Sequence, residues 1–411
     1  MAQILFRNCS LLDPRWDEAR DGHEVLVEGD SIKEVSHRPI KADGARVIDC
    51  GGRTLMPGLI DCHVHVFLSE VNIRNLESVP LTLMTARAAD LMRGMIDRGF
   101  TTVRDTGGAD WGIKVAVESG LIKGPRLFIS GRAIGPTGGH SDSRRRTDGG
   151  AACGCCNALV YSMAIADGPD EVRKSVREQM RQGADQIKIM CSGGVASPYD
   201  PLDSLQFSPA EIAAATDEAA NFGRYVLAHA YSPEAITRAV ENGVRTIEHG
   251  NLIDAKAARL LADKGGFMIA NLVTYYMMKE KAAQFGMSAD MLAKNDLVID
   301  GGLKSLDICR QAGVEVGYGT DLLGQLQVEQ SREFIYRAAV HKPIEIVRQA
   351  TTIAAKVLRQ EGKLGIVEPG ALADLIVVDG NPLKRLELFL DQGAHLPVIM
   401  KAGAFHKNAL N

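Results

Sequence analysis

A chain of 411 residues is long enough for a large core and for more than one substructure. Charged residues make up 24% of it and net to −4, which argues against nucleic acid or an anionic membrane surface as a partner. No apolar run approaches the roughly 20 residues that span a bilayer, Met1 to Pro14 lacks the marks of an export signal, and eight scattered cysteines build no disulfide framework, so the expected location is a reducing cytoplasm.

Residues 1–56 alternate polar and apolar positions, as in Ile4-Leu5-Phe6, Val25-Leu26-Val27 and Val47-Ile48-Asp49, and Glu28-Gly29-Asp30 between two such runs signals a hairpin. Residues 363–411 alternate in the same way, through Leu375-Ile376-Val377-Val378 and Val398-Ile399-Met400. Neither end has enough strands to stand alone, so both are expected to build one small β-sandwich domain.

From residue 57 to 362 a different unit recurs: a helical stretch ends in glycine and a β-branched run follows. It occurs at Gly99, Gly183, Gly223, Gly243, Gly265–Gly266 and Gly313. Glycine past a helix end accepts the left-handed conformation from which a strand can start. With strands at Leu59–His65 and Arg126–Ser130 the count reaches eight, which predicts a (β/α)8 TIM barrel, an α/β fold, for residues 57–362. An open doubly wound sheet is the alternative. The barrel is preferred because potential ligands come from strands far apart in order, and closure brings the first and eighth together.

Two long loops are expected, at 132–170 and 272–300, on the face where a barrel builds its active site. The first holds Gly138-Gly139-His140, the run Arg144-Arg145-Arg146 and the group Cys153-Gly154-Cys155-Cys156. Three cysteines could bind zinc, but no fourth ligand lies nearby and a structural site wants four; reduced thiols are the plainer reading. The arginine run reads as a solvated turn more readily than as a substrate clamp.

Five apolar runs end in a potential metal ligand: Ile60-Asp61-Cys62-His63-Val64-His65, Gln186-Ile187-Lys188, Val226-Leu227-Ala228-His229, Thr246-Ile247-Glu248-His249 and Gly319-Thr320-Asp321. His63 and His65 are two apart, so on a strand they point the same way and can grip a cation together. Imidazole nitrogen and carboxylate oxygen suit Zn2+ and leave it Lewis-acidic. Lysine is normally no ligand; Lys188 could instead be a buried lysine paired with Asp321 or Glu248. Glu248, next to His249, is expected to face away from the ligands, in the barrel wall. His23, His37, His341, His395 and His406 read as surface or packing residues.

Pro57-Gly58-Leu59-Ile60-Asp61-Cys62-His63-Val64-His65 resembles the first-strand signature of the amidohydrolase superfamily, and Lys188, His229, His249 and Asp321 follow in that superfamily's order. The likeness covers nearly the whole chain. The runs Thr101–Asp105, Lys188–Gly194 and Ile247–Asn251 are similar to a narrower branch holding imidazolonepropionase-like proteins, Xaa-Pro dipeptidases (prolidases) and related carboxypeptidases. The resemblance implies a binuclear zinc centre: His63, His65 and Asp321 on one metal, His229 and His249 on the other, with a carboxylated Lys188 and a hydroxide bridging them. It implies Asp321 as the proton shuttle for attack on an amide or peptide carbonyl.

Deaminases of the superfamily place a glutamate shortly after the fifth-strand histidine. Here the run is His229-Ala230-Tyr231-Ser232-Pro233, with no acid, and true imidazolonepropionases lack the lysine. Both reactions are therefore disfavoured. His140 is expected over the metals, where it would polarise the scissile carbonyl. Tyr231, two past His229, would bind a substrate carboxylate, and backbone N–H groups of Ser192-Gly193-Gly194-Val195 would assist. Xaa-Pro dipeptides are the expected substrates. The alternatives are a carboxypeptidase releasing Arg, Lys or hydrophobic residues, an N-acyl amino acid or aryl amide hydrolase, and, remotely, a non-catalytic assembly protein. Barrels of this branch commonly associate, so a homo-oligomer is expected.

Overall fold

A computed structural model describes residues 3–140, 142, 144, 163–197, 200–285 and 287–410. The N-terminal strands β1 (Gln3–Leu11), β2 (Arg20–Glu28), β3 (Ser31–Ser36), β4 (Arg46–Asp49) and β5 (Thr54–Pro57) precede the barrel. Next come β6 (Leu59–Val64), β7 (Phe100–Asp105), β8 (Arg126–Ile129), β9 (Ala133–Gly135), β10 (Met163–Ile165), β11 (Ile187–Met190), β12 (Val226–Ala230), β13 (Thr246–His249), β14 (Phe267–Ala270) and β15 (Glu315–Tyr318). The chain closes with β16 (Leu375–Val378), β17 (Val398–Lys401) and β18 (Ala404–Asn408).

The strands of both ends hydrogen-bond into one sheet, ordered β18-β17-β16-β5-β1-β2-β3, with β4 beside β1. The ends meet where β16 runs antiparallel to β5, Val377 opposite Leu55. The period-2 alternation explains its two faces. Phe6, Val25, Leu55, Leu375, Val377 and Met400 form the sheet's own core, while Met56, Ile376, Val378 and Ile399 turn to the barrel and pack with its first helix. Asp374 pins the junction: it accepts from Arg126 Nη1 at 2.6 Å and from the Ala402 amide at 2.8 Å.

β6, β7 and β8 run parallel, as do β11 through β15. Two seams join these sets into a barrel. At β8/β11 the Asp185 amide donates to Ile129 O at 2.7 Å; at β15/β6 the Asp321 amide donates to His63 O at 2.9 Å. The second seam lies at the ligand-bearing face, so ring closure itself sets Asp321 beside His63. The glycine ending each recurring unit is left-handed, from φ +65° at Gly265 to +91° at Gly243, as the helix-to-strand reversal requires.

The segment 272–300 differs from the expected loop. It is largely helical, with Val273–Glu280, Ala282–Phe285 and the start of the helix Ala289–Ala312. Ser288 caps that long helix by accepting from the Met291 amide, and Gly313 ends it in the left-handed region. Cys153, Cys155, Cys156, Arg145 and Arg146 lie outside the described residues. Arg144 folds back onto Asp142, Nη2 to Oδ2 at 2.5 Å. Cys9, Cys50, Cys62, Cys191 and Cys309 are free and buried.

Candidate active site

His63, His65, Lys188, His229, His249 and Asp321 line one cavity of about 330 Å³ at the C-terminal ends of the barrel strands, together with His140 and Tyr231. Asp321 Oδ1 stands 3.2 Å from Nε2 of both His63 and His65, and Oδ2 stands 3.7 Å from His249 Nδ1. One donor atom each from His63, His249 and Asp321 lies within 4.8 Å of the others. The His229 and His249 rings are 4.5 Å apart.

The hydrogen bonds of three histidines show which nitrogen each turns to a fixed acceptor. Gly107 O lies 2.8 Å from His65 Nδ1, and Gly193 O lies 3.0 Å from His229 Nε2. A carbonyl only accepts, so those nitrogens donate. On His229, which burial keeps neutral, Nδ1 then keeps its lone pair, whereas burial of His65 is outweighed by Asp321, 3.2 Å from Nε2, which raises that imidazole. His63 Nδ1 lies 2.7 Å from Glu248 Oε2. Burial pushes the Glu248 carboxyl up, but Arg104, His63 and Lys188 overcome it and hold the group well below the carboxylate range. It is ionised, so His63 Nδ1 donates to it, and Nε2 faces Asp321 Oδ1 at 3.2 Å. Histidines oriented in this way could hold a metal ion.

Glu248 therefore does not face away from the ligands as the strand alternation predicts. His249 has φ +72°, outside the extended region, so consecutive residues both reach the interior. Asp321, with φ +53°, departs from strand geometry too. A left-handed conformation is unfavourable for non-glycine residues and concentrates where structure over-determines it. Arg104, fully buried, donates to both Glu248 oxygens at 2.8 and 2.9 Å and to Cys62 O at 2.6 Å. Asp61 accepts from the His63 amide, Thr320 Oγ1 and Gln330 Nε2; Asp105 accepts from the amides of Val66, Gly107 and Ala109. Together they pin the turns that carry His63 and His65.

Lys188 is 2% exposed, and among the described residues no carboxylate lies within ion-pair distance of it, although Glu248 and Asp321 both favour its charged form. Burial drives its ammonium down to about 8. Burial and their neighbours keep His229 and His249 well below the ordinary histidine range, hence neutral. Burial pushes the Asp321 carboxyl up, but His63, His65 and His249 reverse this and hold it well below the usual range. Neutral imidazoles, an ionised carboxylate and a readily deprotonated amine form a donor set that fits divalent metal.

His140 stacks on His229 at 4.3 Å, and its Nδ1 lies 3.5 Å from Asp200 Oδ2. Gly193 and Gly194 serve this packing: a Cβ at Gly194 would overlap the His140 ring, and one at Gly193 would overlap Pro201 O. The expected role of their N–H groups toward substrate is thus accompanied by a steric one.

The Tyr231 hydroxyl is 2.7 Å from that of Tyr275, which is 3.0 Å from His249 Nδ1. Burial holds both phenols above their ordinary range. Tyr275 lies in the segment read as a loop, and no local signal marked it. Arg104 did carry a signal, a charge inside an apolar strand. Met190, Val195, Met278, Met287 and Met291 give the cavity an apolar wall, beside the polar Asn72, Asp142, Ser197 and Ser288. Among the described residues no helix is long and apolar enough to cross a membrane.

Fold and site together define a barrel hydrolase with a histidine-rich mouth. The chain belongs to the amidohydrolase family, whose model matches residues 54–403, and it fits the prolidase-like branch of that superfamily. It is 51% identical to an amidohydrolase of solved structure, with a TM-score of 0.97 and 100% of each chain covered. A prolidase solved in complex with N-methylphosphonate-L-proline is 44% identical, with a TM-score of 0.96, over 99% of this chain and 100% of the other. Ochratoxinase of Aspergillus niger is 30% identical over 364 residues, 86% of this chain and 75% of the relative.

Proposed function

We propose that this chain is a binuclear zinc hydrolase of short peptides, with Xaa-Pro dipeptides as its foremost substrates. The carrying observation is that His63, His65 and His229 each spend one nitrogen on a fixed acceptor, around a buried lysine and an ionised aspartate. His63, His65 and Asp321 would hold one ion, His229 and His249 the other. Lys188, once its neutral amine has added CO2 and lost a proton, would serve both as a carbamate. Two such cations would supply Lewis acidity and a water of lowered pKa.

The residues of the chain do the rest. Asp321, ionised and facing the cavity, takes a proton from the attacking water and returns it to the leaving nitrogen. His140 polarises the scissile carbonyl from its place on His229. Tyr231 offers its hydroxyl to the substrate carboxylate. The prolidase relative supports the Xaa-Pro assignment. A second reading, hydrolysis of N-acyl amino acids or aryl amides, is favoured by the apolar wall of Met278, Met287 and Met291.

A hydrolysis screen of the zinc-loaded protein tests this. The panel holds Xaa-Pro dipeptides, peptides ending in Arg, Lys or hydrophobic residues, N-acyl amino acids and aryl amides. Fastest cleavage of Xaa-Pro with two zinc ions per chain is the expected result. Slower Xaa-Pro than N-acyl cleavage would shift the assignment to the second reading. No cleavage and no stoichiometric zinc would leave an assembly role.

A further inference from the structure

Tyr275 is 2% exposed and enters the site from the helix after β14. Its backbone is held independently of its hydroxyl, because Asn295 Nδ2 donates to Tyr275 O at 3.0 Å. The hydroxyl lies between two groups, His249 Nδ1 at 3.0 Å and the Tyr231 hydroxyl at 2.7 Å. Among the described residues neither phenol oxygen has another hydrogen-bond partner.

A phenol carries one proton, so Tyr275 can donate to only one of these neighbours. If His249 holds a metal through Nε2, its proton sits on Nδ1, where the Tyr275 hydroxyl at 3.0 Å is a nearer acceptor than Asp321 Oδ2 at 3.7 Å. Tyr275 O then accepts from His249, and the Tyr275 proton goes to Tyr231 O. The Tyr231 proton is left unspent, on a residue that lines the cavity. We infer that Tyr275 is a positioning residue that sets the direction of a His249–Tyr275–Tyr231 hydrogen-bond chain. It fixes His249 as an Nε2 ligand and makes Tyr231 a donor into the cavity, selecting substrates that present an anionic acceptor there. This rests on the metal-ligand reading proposed above. It couples the metal centre to substrate anchoring through one hydroxyl.

Tyr275→Phe removes that hydroxyl and keeps the ring, and the melting temperature checks the fold. Zinc affinity, measured by competition with a chelator, should weaken about tenfold or more, the scale of losses when a ligand's outer partner is removed. On Xaa-Pro dipeptides, Tyr231→Phe should lower kcat/KM by its full factor in the wild type but by less than about threefold in the Tyr275→Phe background, since a misdirected donor has little left to lose. Unchanged zinc affinity, or fully multiplicative losses, would overturn the inference. Neutron diffraction on the zinc-loaded wild type gives a reading that needs no variant. Deuterium on His249 Nδ1, with the Tyr275 deuterium aimed at Tyr231, supports the chain; a Tyr275 deuterium aimed at His249 overturns it. If no dipeptide is cleaved, the dipeptidase proposal fails by itself, because zinc affinity and deuterium positions require no substrate.

Discussion

Glu248 reaches Nδ1 of His63 at 2.7 Å from across the barrel, although its neighbour His249 faces the same cavity. The left-handed backbone at His249 makes this possible. One carboxylate thereby orients the His63 ring while neutralising the buried guanidinium of Arg104.

Glu248→Gln should therefore weaken two things at once. Removing one partner of a buried ion pair strands the other charge and costs about 3–5 kcal/mol. The His63 tautomer also loses its fixed acceptor, and metal affinity should fall by roughly 10- to 100-fold. Denaturant unfolding and metal analysis on one preparation measure both. A variant that keeps wild-type stability and zinc would show that Glu248 is only wall packing.

Lys188→Ala should lose zinc and activity, and added short carboxylic acids should restore part of both by taking the carbamate's place. Because burial drives the amine down to about 8, the neutral form needed to add CO2 grows as pH rises through that value. Reactivation of metal-free protein by zinc and bicarbonate should accelerate over the same interval. Anomalous scattering that shows one metal and an unmodified amine would end the binuclear reading.

Gly194→Ala places a methyl group where the His140 ring now sits. The ring should be driven off His229 and kcat should fall by about 10²–10³-fold, the scale for losing one stabilising donor, with little change in melting temperature. The loss should match that of His140→Asn and not add to it. Independent, multiplicative effects would mean that the glycine serves some other contact.

Tyr231→Phe deletes one hydroxyl. A hydrogen bond to a charged group is worth about 1.5–3 kcal/mol, so kcat/KM on Xaa-Pro dipeptides should drop by roughly ten- to a hundredfold. The drop should vanish on C-terminally amidated dipeptides. Equal cleavage of free and amidated substrates by the wild type would remove carboxylate anchoring from the mechanism.

His341 offers a pH test away from the site. Burial drives its imidazole down to about 4, assisted by Arg337 and Arg310 and opposed by Glu345 and Asp307. The folded chain keeps it neutral while the unfolded chain protonates it near the ordinary value of about 6.5. Stability should thus fall as pH drops from about 6.5 towards 4, by at most about 3 kcal/mol from this group. His341→Gln should flatten that part of the curve relative to wild type in urea unfolding at several pH values. Parallel curves would show that other groups carry the acid limb.

The sequence by itself determined the eight barrel strands, the joining of the two ends (expected as a sandwich, found as one sheet), and the placing of His63, His65, Lys188, His229, His249 and Asp321 at the ends of apolar runs. These are written locally: an apolar run, a potential ligand at its end, and a glycine that permits the reversal before the next strand. Tertiary structure decided what no local pattern contains. Ring closure set the Asp321 amide on His63 O, two residues far apart in sequence. The left-handed backbone at His249 turned Glu248 inward against the alternation expected of a strand. The helices within 272–300 brought Tyr275 to His249, where the Tyr231 hydroxyl is engaged as well. The identity of a candidate ligand is a property of one residue and its strand. Its tautomer and charge depend on partners that meet it only when the barrel closes.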